Sequence, residues 1–155
     1  MIDKLKSNIE DCLICEKKLP NRPRPIVQFS SNSKILILAQ APGQKAHDNG
    51  IPFDDLSGNN LREWLGVSRE QFYNSDIFAI MPMGFCFPGK GKTGDLPPRK
   101  ECAPQWHNLI LEKLEHLELI ILIGQYSQNY YLKYNKYKNL TDTVSNFQDF
   151  LPKYF

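Results

Sequence analysis

Four cysteines have the spacing that most constrains chemistry in this chain. Cys12 and Cys15 form a C-x2-C pair, and Cys86 and Cys102, far downstream, have fifteen residues between them. In a reducing compartment, paired thiols at such spacing suggest metal or cluster binding rather than disulfides. Four thiolates can hold a [4Fe–4S] cluster or a structural zinc. The plainer alternative is that Cys86 and Cys102 are small buried hydrophobes and the site holds no metal. A second group lies between Gln40 and Gly58, in the stretch QAPGQKAHDNGIPFDDLSG. It collects an amide (Gln40), an imidazole (His47), an aromatic ring (Phe53) and two carboxylates (Asp54, Asp55) on one segment.

That segment follows Ile35-Leu36-Ile37-Leu38, an unbroken apolar run that reads as a strand buried on both faces. Pro42 has no N–H for a ladder and ends the strand, and Gly43 allows close backbone approach. In open parallel sheets ligands bind beyond the carboxyl ends of the strands, so this loop is the place to look for a site. Further elements follow from periodicity. Ile2, Leu5 and Ile9 predict a short helix leading into Cys12, and residues 16–25, with three prolines, a basic loop. Ile26–Phe29 reads as a short edge strand. Ser57 is expected to cap a helix whose core face carries Leu61, Trp64 and Leu65. Residues 76–81 and 119–123 read as two more buried strands. Helices are predicted over 103–116, 126–134 and 141–151.

The segment GKGKTGDLPPR, residues 89–99, is rich in glycine and proline and reads as a long surface loop. Its Gly89, Gly91 and Gly94 spell Gly-x-Gly-x-x-Gly, but Pro97 and Pro98 follow instead of a helix, which excludes a dinucleotide fingerprint.

A chain of 155 residues, 41% hydrophobic, suits a single α/β domain over 1–155. No apolar run reaches transmembrane length, and the N-terminus lacks the apolar region of a signal peptide, so the chain reads as cytoplasmic with no membrane partner. No obligate protein partner is evident. The formal charge of +2 neither announces nor excludes nucleic acid. Strands alternating with helices predict a parallel sheet covered on both faces.

The motifs resemble the uracil-DNA glycosylase superfamily, in particular its iron–sulfur families 4 and 5. Those families place Gly-Glu-Ala-Pro-Gly or Gly-Leu-Ala-Pro-Gly after a buried strand, then Gly-x-Pro-Phe and a further Gly. Here Gln40-Ala41-Pro42-Gly43 is followed in that register by Gly50, Pro52, Phe53 and Gly58. The resemblance runs from Cys12 to about Leu151. It implies a three-layer α/β/α sandwich with a central parallel sheet, and a [4Fe–4S] cluster on Cys12, Cys15, Cys86 and Cys102. It implies a DNA glycosylase that hydrolyses the N-glycosidic bond of a flipped uracil or related damaged base, its partner being DNA that contains one.

By position, Phe53 resembles the family's stacking ring. Ala41, Pro42 and Gly43 belong to its base-binding loop, and Gln40 stands where family 4 has an acid. Asp54 or Asp55 falls near an acid of family 5, and His47 is similar to a family 5 histidine. Lys90, Lys92, Arg99 and Lys100 lie on the loop that borders the family's DNA-binding face, as phosphate contacts. Two departures stand out. The family 4 Asn that reads uracil falls at Pro82. The closing His-Pro-Ser signature, whose His stabilises the departing uracil anion, is not found before Phe155. The sequence therefore predicts a domain without its final strand, an unpaired sheet edge or an open groove in its place, and slow or no excision. The alternative function is a non-catalytic nucleic-acid-binding or iron–sulfur protein of the same fold. An unrelated small-molecule hydrolase has only the α/β pattern in its favour.

Overall fold

The computed structural model describes residues 1–155. Its centre is a three-stranded parallel sheet in the order β2-β1-β5, where β1 is Ile35–Leu38, β2 is Phe78–Ile80 and β5 is Leu119–Leu122. Ile35 pairs with Phe78 on one side and Leu119 on the other. Side chains alternate across a strand, and β1 divides accordingly. Leu36 and Leu38 enter a core with Leu5 and Ile9 of helix α1 (Ile2–Glu10) and with Trp106 and Ile110. Ile37 enters a second core with Leu61 and Phe72. These last two lie on α3 (Leu56–Leu65) and α4 (Arg69–Phe72). Both faces of the sheet are thus covered, as the α/β/α reading expects. No helix is long and apolar enough to cross a membrane.

The chain passes from β1 to β2 through α2 (Gln44–Asn49), α3 and α4, then crosses β1 to reach β5. The helical part of that crossing is a π-helical turn, Ala103–His107, continuous with α5 (Asn108–Leu111). Strand order therefore reverses beside β1, and a crevice opens at the carboxyl ends of such strands. After β5 come α6 (Gln125–Tyr131), α7 (Leu140–Ser145) and a 3₁₀ turn, Phe147–Phe150.

Several expectations change. Ile26–Phe29 makes only one antiparallel bridge, Gln28 to Ile80, not a strand. Asp55, not Ser57, caps α3, accepting the Gly58 N–H at 2.8 Å. Trp64 is 80% exposed rather than packed, because Arg62 takes the inward position on that helix. The loop 89–99 folds back as a hairpin, β3 (Lys90–Gly91) against β4 (Gly94–Asp95). Of the bare edge or open groove expected beyond β5, the groove is present and the edge is partly covered. Lys153 and Phe155 exchange backbone hydrogen bonds with Ile120 and Leu122, so the C-terminal residues run parallel to β5. An apolar groove of about 190 Å³ lies beside this tail, between β5 and Phe147 and Phe150.

Candidate functional site

All three strands end at one cleft of about 220 Å³, which Gln40 enters after β1, Pro82 after β2 and Ile123 after β5. The post-strand loops are tied together by backbone: the Met83 N–H donates to Ala39 O and the Gly84 N–H to Gln40 O. Ala41, Pro42, Gly43, Phe53 and Asp55 complete the near wall.

Phe53 is the one non-glycine residue with a left-handed backbone, at φ +56°. Such strain persists only where the surroundings hold it, and here they are identifiable. The Arg62 guanidinium, 5% exposed, donates to Phe53 O at 3.1 Å and to Asn59 Oδ1 at 2.7 Å. It also lies over the rings of Phe72 and Tyr73. The Tyr73 hydroxyl donates to Pro52 O at 2.7 Å. Gly58 makes the close approach: a Cβ there would stand 1.7 Å from Phe53 O. The Phe53 ring meets Phe72 edge-on, with centroids 6.0 Å apart, while its half-buried side chain lines the cleft.

The carboxylates separate by surroundings. Asp54 does not line the cleft. It accepts from Asn49 at 2.9 Å and pairs with Arg69 at 3.2 Å, and the Asn49 hydrogen bond, followed by Arg69, holds its carboxyl below the usual range. Asp55 uses Oδ1 as a helix cap and turns Oδ2 toward Gly43. Asp95, absent from the residues singled out above, arrives on β4 and lines the same cleft. Its signal in sequence was the Gly-rich segment, but only the hairpin brings it back. His47 sits on α2 with its ring 6.2 Å from Phe87, outside the cleft, and its buried Nδ1 has no partner.

The basic residues divide too. Arg99 is held by Glu101 through two contacts, and Lys18 pairs with the same carboxylate. Arg99 is therefore already neutralised, whereas Lys90, Lys92 and Lys100 make no ion pair. Arg24, from the basic loop, donates to the carbonyls of His47 and Asp48 at the end of α2.

Cys12, Cys15, Cys86 and Cys102 line one narrow cavity between the segment after α1, the loop after β2 and the start of the π-helical turn. All are free thiols. Burial, and secondarily the neighbouring cysteines, pushes Cys86 up to about 11; burial, above all, takes Cys102 to about 12. No three His, Cys, Asp or Glu side chains gather around a point fit for one metal ion. Four thiol side chains on one cavity are the donor types that an iron–sulfur cluster takes. The Phe85 N–H approaches Cys102 Sγ at 3.4 Å, and the buried indole N–H of Trp106, on the same cavity, has no partner. Hydrogen bonds to sulfur are among the features that tune such clusters.

The profile of the Uracil DNA glycosylase superfamily matches residues 26–154. The match takes in the cleft, Cys86 and Cys102, and begins after Cys12 and Cys15. The chain is 28% identical over 138 residues to a type-4 uracil-DNA glycosylase of Saccharolobus solfataricus. That alignment covers 85% of this chain and 59% of the relative's length. A doubly wound sheet, an Ala-Pro-Gly loop at its switch point and a profile match over most of the chain agree: this protein belongs to the uracil-DNA glycosylase superfamily.

Proposed function

We propose that residues 1–155 act as one cytoplasmic domain, a DNA glycosylase that hydrolyses the N-glycosidic bond of uracil or a related damaged base. The observation that carries this reading is the meeting of Gln40, Pro42, Phe53 and Asp55 in one cleft at the strand ends, in a member of this superfamily. The glycosidic bond is shielded inside a duplex, so the base must be extruded to react. Phe53 would supply the face on which it stacks. The Gln40 amide, donor and acceptor in one group, would hold its polar edge. Gln40 cannot accept a proton as a base, so a carboxylate has to do that work. Asp55 Oδ2, fixed by the cap on its other oxygen, would set negative charge beside the sugar as it becomes an oxocarbenium. Lys90, Lys92 and Lys100 would meet phosphates, which loosens binding as salt rises.

The test is release of the base from a uracil-containing oligonucleotide, single-stranded and duplex, with strand cleavage at the abasic product as readout. Binding without release would favour the non-catalytic reading of the same fold. Phe53→Ala should weaken binding of the uracil oligonucleotide by about 1–3 kcal/mol, the usual worth of base stacking on an aromatic. Unchanged affinity on titration would remove Phe53 from the stacking role.

Cys12, Cys15, Cys86 and Cys102 would hold a [4Fe–4S] cluster, and a bound cluster would tie the N-terminal segment to the domain. Anaerobic reconstitution with iron and sulfide should give a brown protein with visible absorption. Cys102→Ser should remove that absorption, while far-ultraviolet circular dichroism reports whether the fold survives. A colourless reconstituted wild type that binds stoichiometric zinc would decide for zinc instead.

A further inference from the structure

We infer that Asp95, carried over the cleft by the β3–β4 hairpin, is the carboxylate that takes the proton from the attacking water; this rests on the glycosylase reading above. Three acids lie near the loop, and their commitments differ. Asp54 is consumed by Asn49 and Arg69 and does not line the cleft. Asp55 has one oxygen fixed on the Gly58 N–H. Asp95 lines the cleft and makes neither an ion pair nor a side-chain hydrogen bond, so its acceptor sites are free for water.

Its placement is built rather than incidental. Asp95 pairs with Lys90 across the hairpin, and the Leu96 N–H donates to Gly89 O at 2.8 Å. The Leu96 side chain closes over Gly91, where an added Cβ would stand 3.2 Å from it. The hairpin is thereby anchored at its base. Asp95 Oδ2 stands 3.7 Å and Asp55 Oδ2 4.0 Å from the point where a Cβ on Gly43 would lie. Gly43 leaves that space open, and two carboxylates of unequal freedom converge on it. The fixed one suits electrostatic stabilisation and the free one proton transfer.

The step balances as a hydrolysis. The water oxygen bonds to C1′ as the bond from C1′ to the base nitrogen breaks, and the bonding pair leaves with the base. One water proton passes to the Asp95 carboxylate, and from there to the departed base anion or to solvent. Phe53 and Gln40 hold the base on the other side of the sugar.

Two measurements test this on the full chain. The first is single-turnover excision from a single-stranded uracil oligonucleotide across a range of pH. Asp95→Asn should lower the rate by roughly 10²–10⁴, the span of general base catalysis, and remove the acid limb of the pH profile. Asp95→Glu should recover part of the rate. The second is binding of two duplexes carrying abasic mimics, one a cationic pyrrolidine and the other a neutral tetrahydrofuran. Wild type should prefer the cation, and Asp95→Asn should weaken that preference, the Asp55 carboxylate remaining beside the same space, while binding the neutral mimic as before.

An Asp95→Asn protein that excises at the wild-type rate and keeps its full preference for the cation overturns the inference. A wild type that shows the preference, has it weakened by Asp95→Asn and excises nothing supports the placement of the carboxylate but overturns the hydrolytic reading. A wild type that binds neither mimic and releases no base overturns both.

Discussion

Replacing Gly58 by alanine should destabilise this protein by about 3 kcal/mol and displace the Phe53 loop. The added methyl would stand 1.7 Å from Phe53 O and 2.6 Å from Phe53 C, both backbone atoms. No rotamer relieves such an overlap, so either α3 or the loop must move. The loop cannot yield cheaply. Phe53 O accepts from the buried Arg62, and Pro52 O accepts from Tyr73. If the loop moves, Arg62 keeps its charge in the interior but loses a partner, and a buried group so exposed costs about 1–3 kcal/mol or more. If α3 moves, the Gly58 N–H leaves Asp55 and the cap is lost. Urea unfolding should show a lower midpoint at unchanged slope. Excision should fall with it, because Phe53 no longer faces the cleft. A Gly58→Ala protein within about 0.5 kcal/mol of wild type would mean that the loop is not held as described.

The second large effect is a loss of stability in mild acid through His107. This side chain is fully buried, stacked between the rings of Phe85 and Tyr131. Its Nε2 lies 3.0 Å from Pro82 O, and a carbonyl only accepts, so Nε2 carries the hydrogen. Nδ1 then accepts from the Tyr131 hydroxyl at 2.6 Å. Burial drives the His107 pKa down to about 4, against a smaller opposing effect of the Pro82 hydrogen bond. The unfolded chain takes up this proton near pH 6.5, the folded chain only near pH 4. The unfolded state therefore binds more protons in that window, and stability falls as the pH drops through it. The shift corresponds to about 3 kcal/mol, fully present above the upper limit. Asp54, Glu101 and Asp149 have lowered pKa values, so the stability they contribute is lost only as the pH falls through and below the ordinary carboxylate range. The upper part of the window thus isolates the histidine. Stability by urea unfolding at several pH values should show the slope, and His107→Gln should flatten it. An unchanged slope in that variant would assign the acid sensitivity elsewhere. Because Pro82 lines the cleft, the same variant reports whether His107 steadies the site wall.

Local order and chemistry set the parts of this protein that are legible in its sequence. The run Ile35–Leu38 is apolar on both faces, the kind of strand that a covered parallel sheet takes. Pro42 and Gly43 end it abruptly, which located the cleft. The spaced Gly50, Pro52, Phe53 and Gly58 marked the loop, since each answers a backbone demand within a few residues. Gly50 takes a left-handed turn, and Gly58 lets Phe53 O approach.

Other features depend on residues far apart in the chain, and the tertiary structure decided them. Trp64 was expected on the core face of its helix. Packing turns Arg62 inward instead, because the Phe53 carbonyl and the Phe72 and Tyr73 rings together form a site for a planar cation. The choice between Asp54 and Asp55 could not be read from adjacent letters. Arg69 takes one and the Gly58 N–H the other. Asp95 lay in a stretch whose composition says only turn. Two short strands closing on each other bring its carboxylate back across about fifty residues of sequence to Gly43. Side-chain direction in a loop is set by its distant partners, and one-dimensional periodicity holds no term for them.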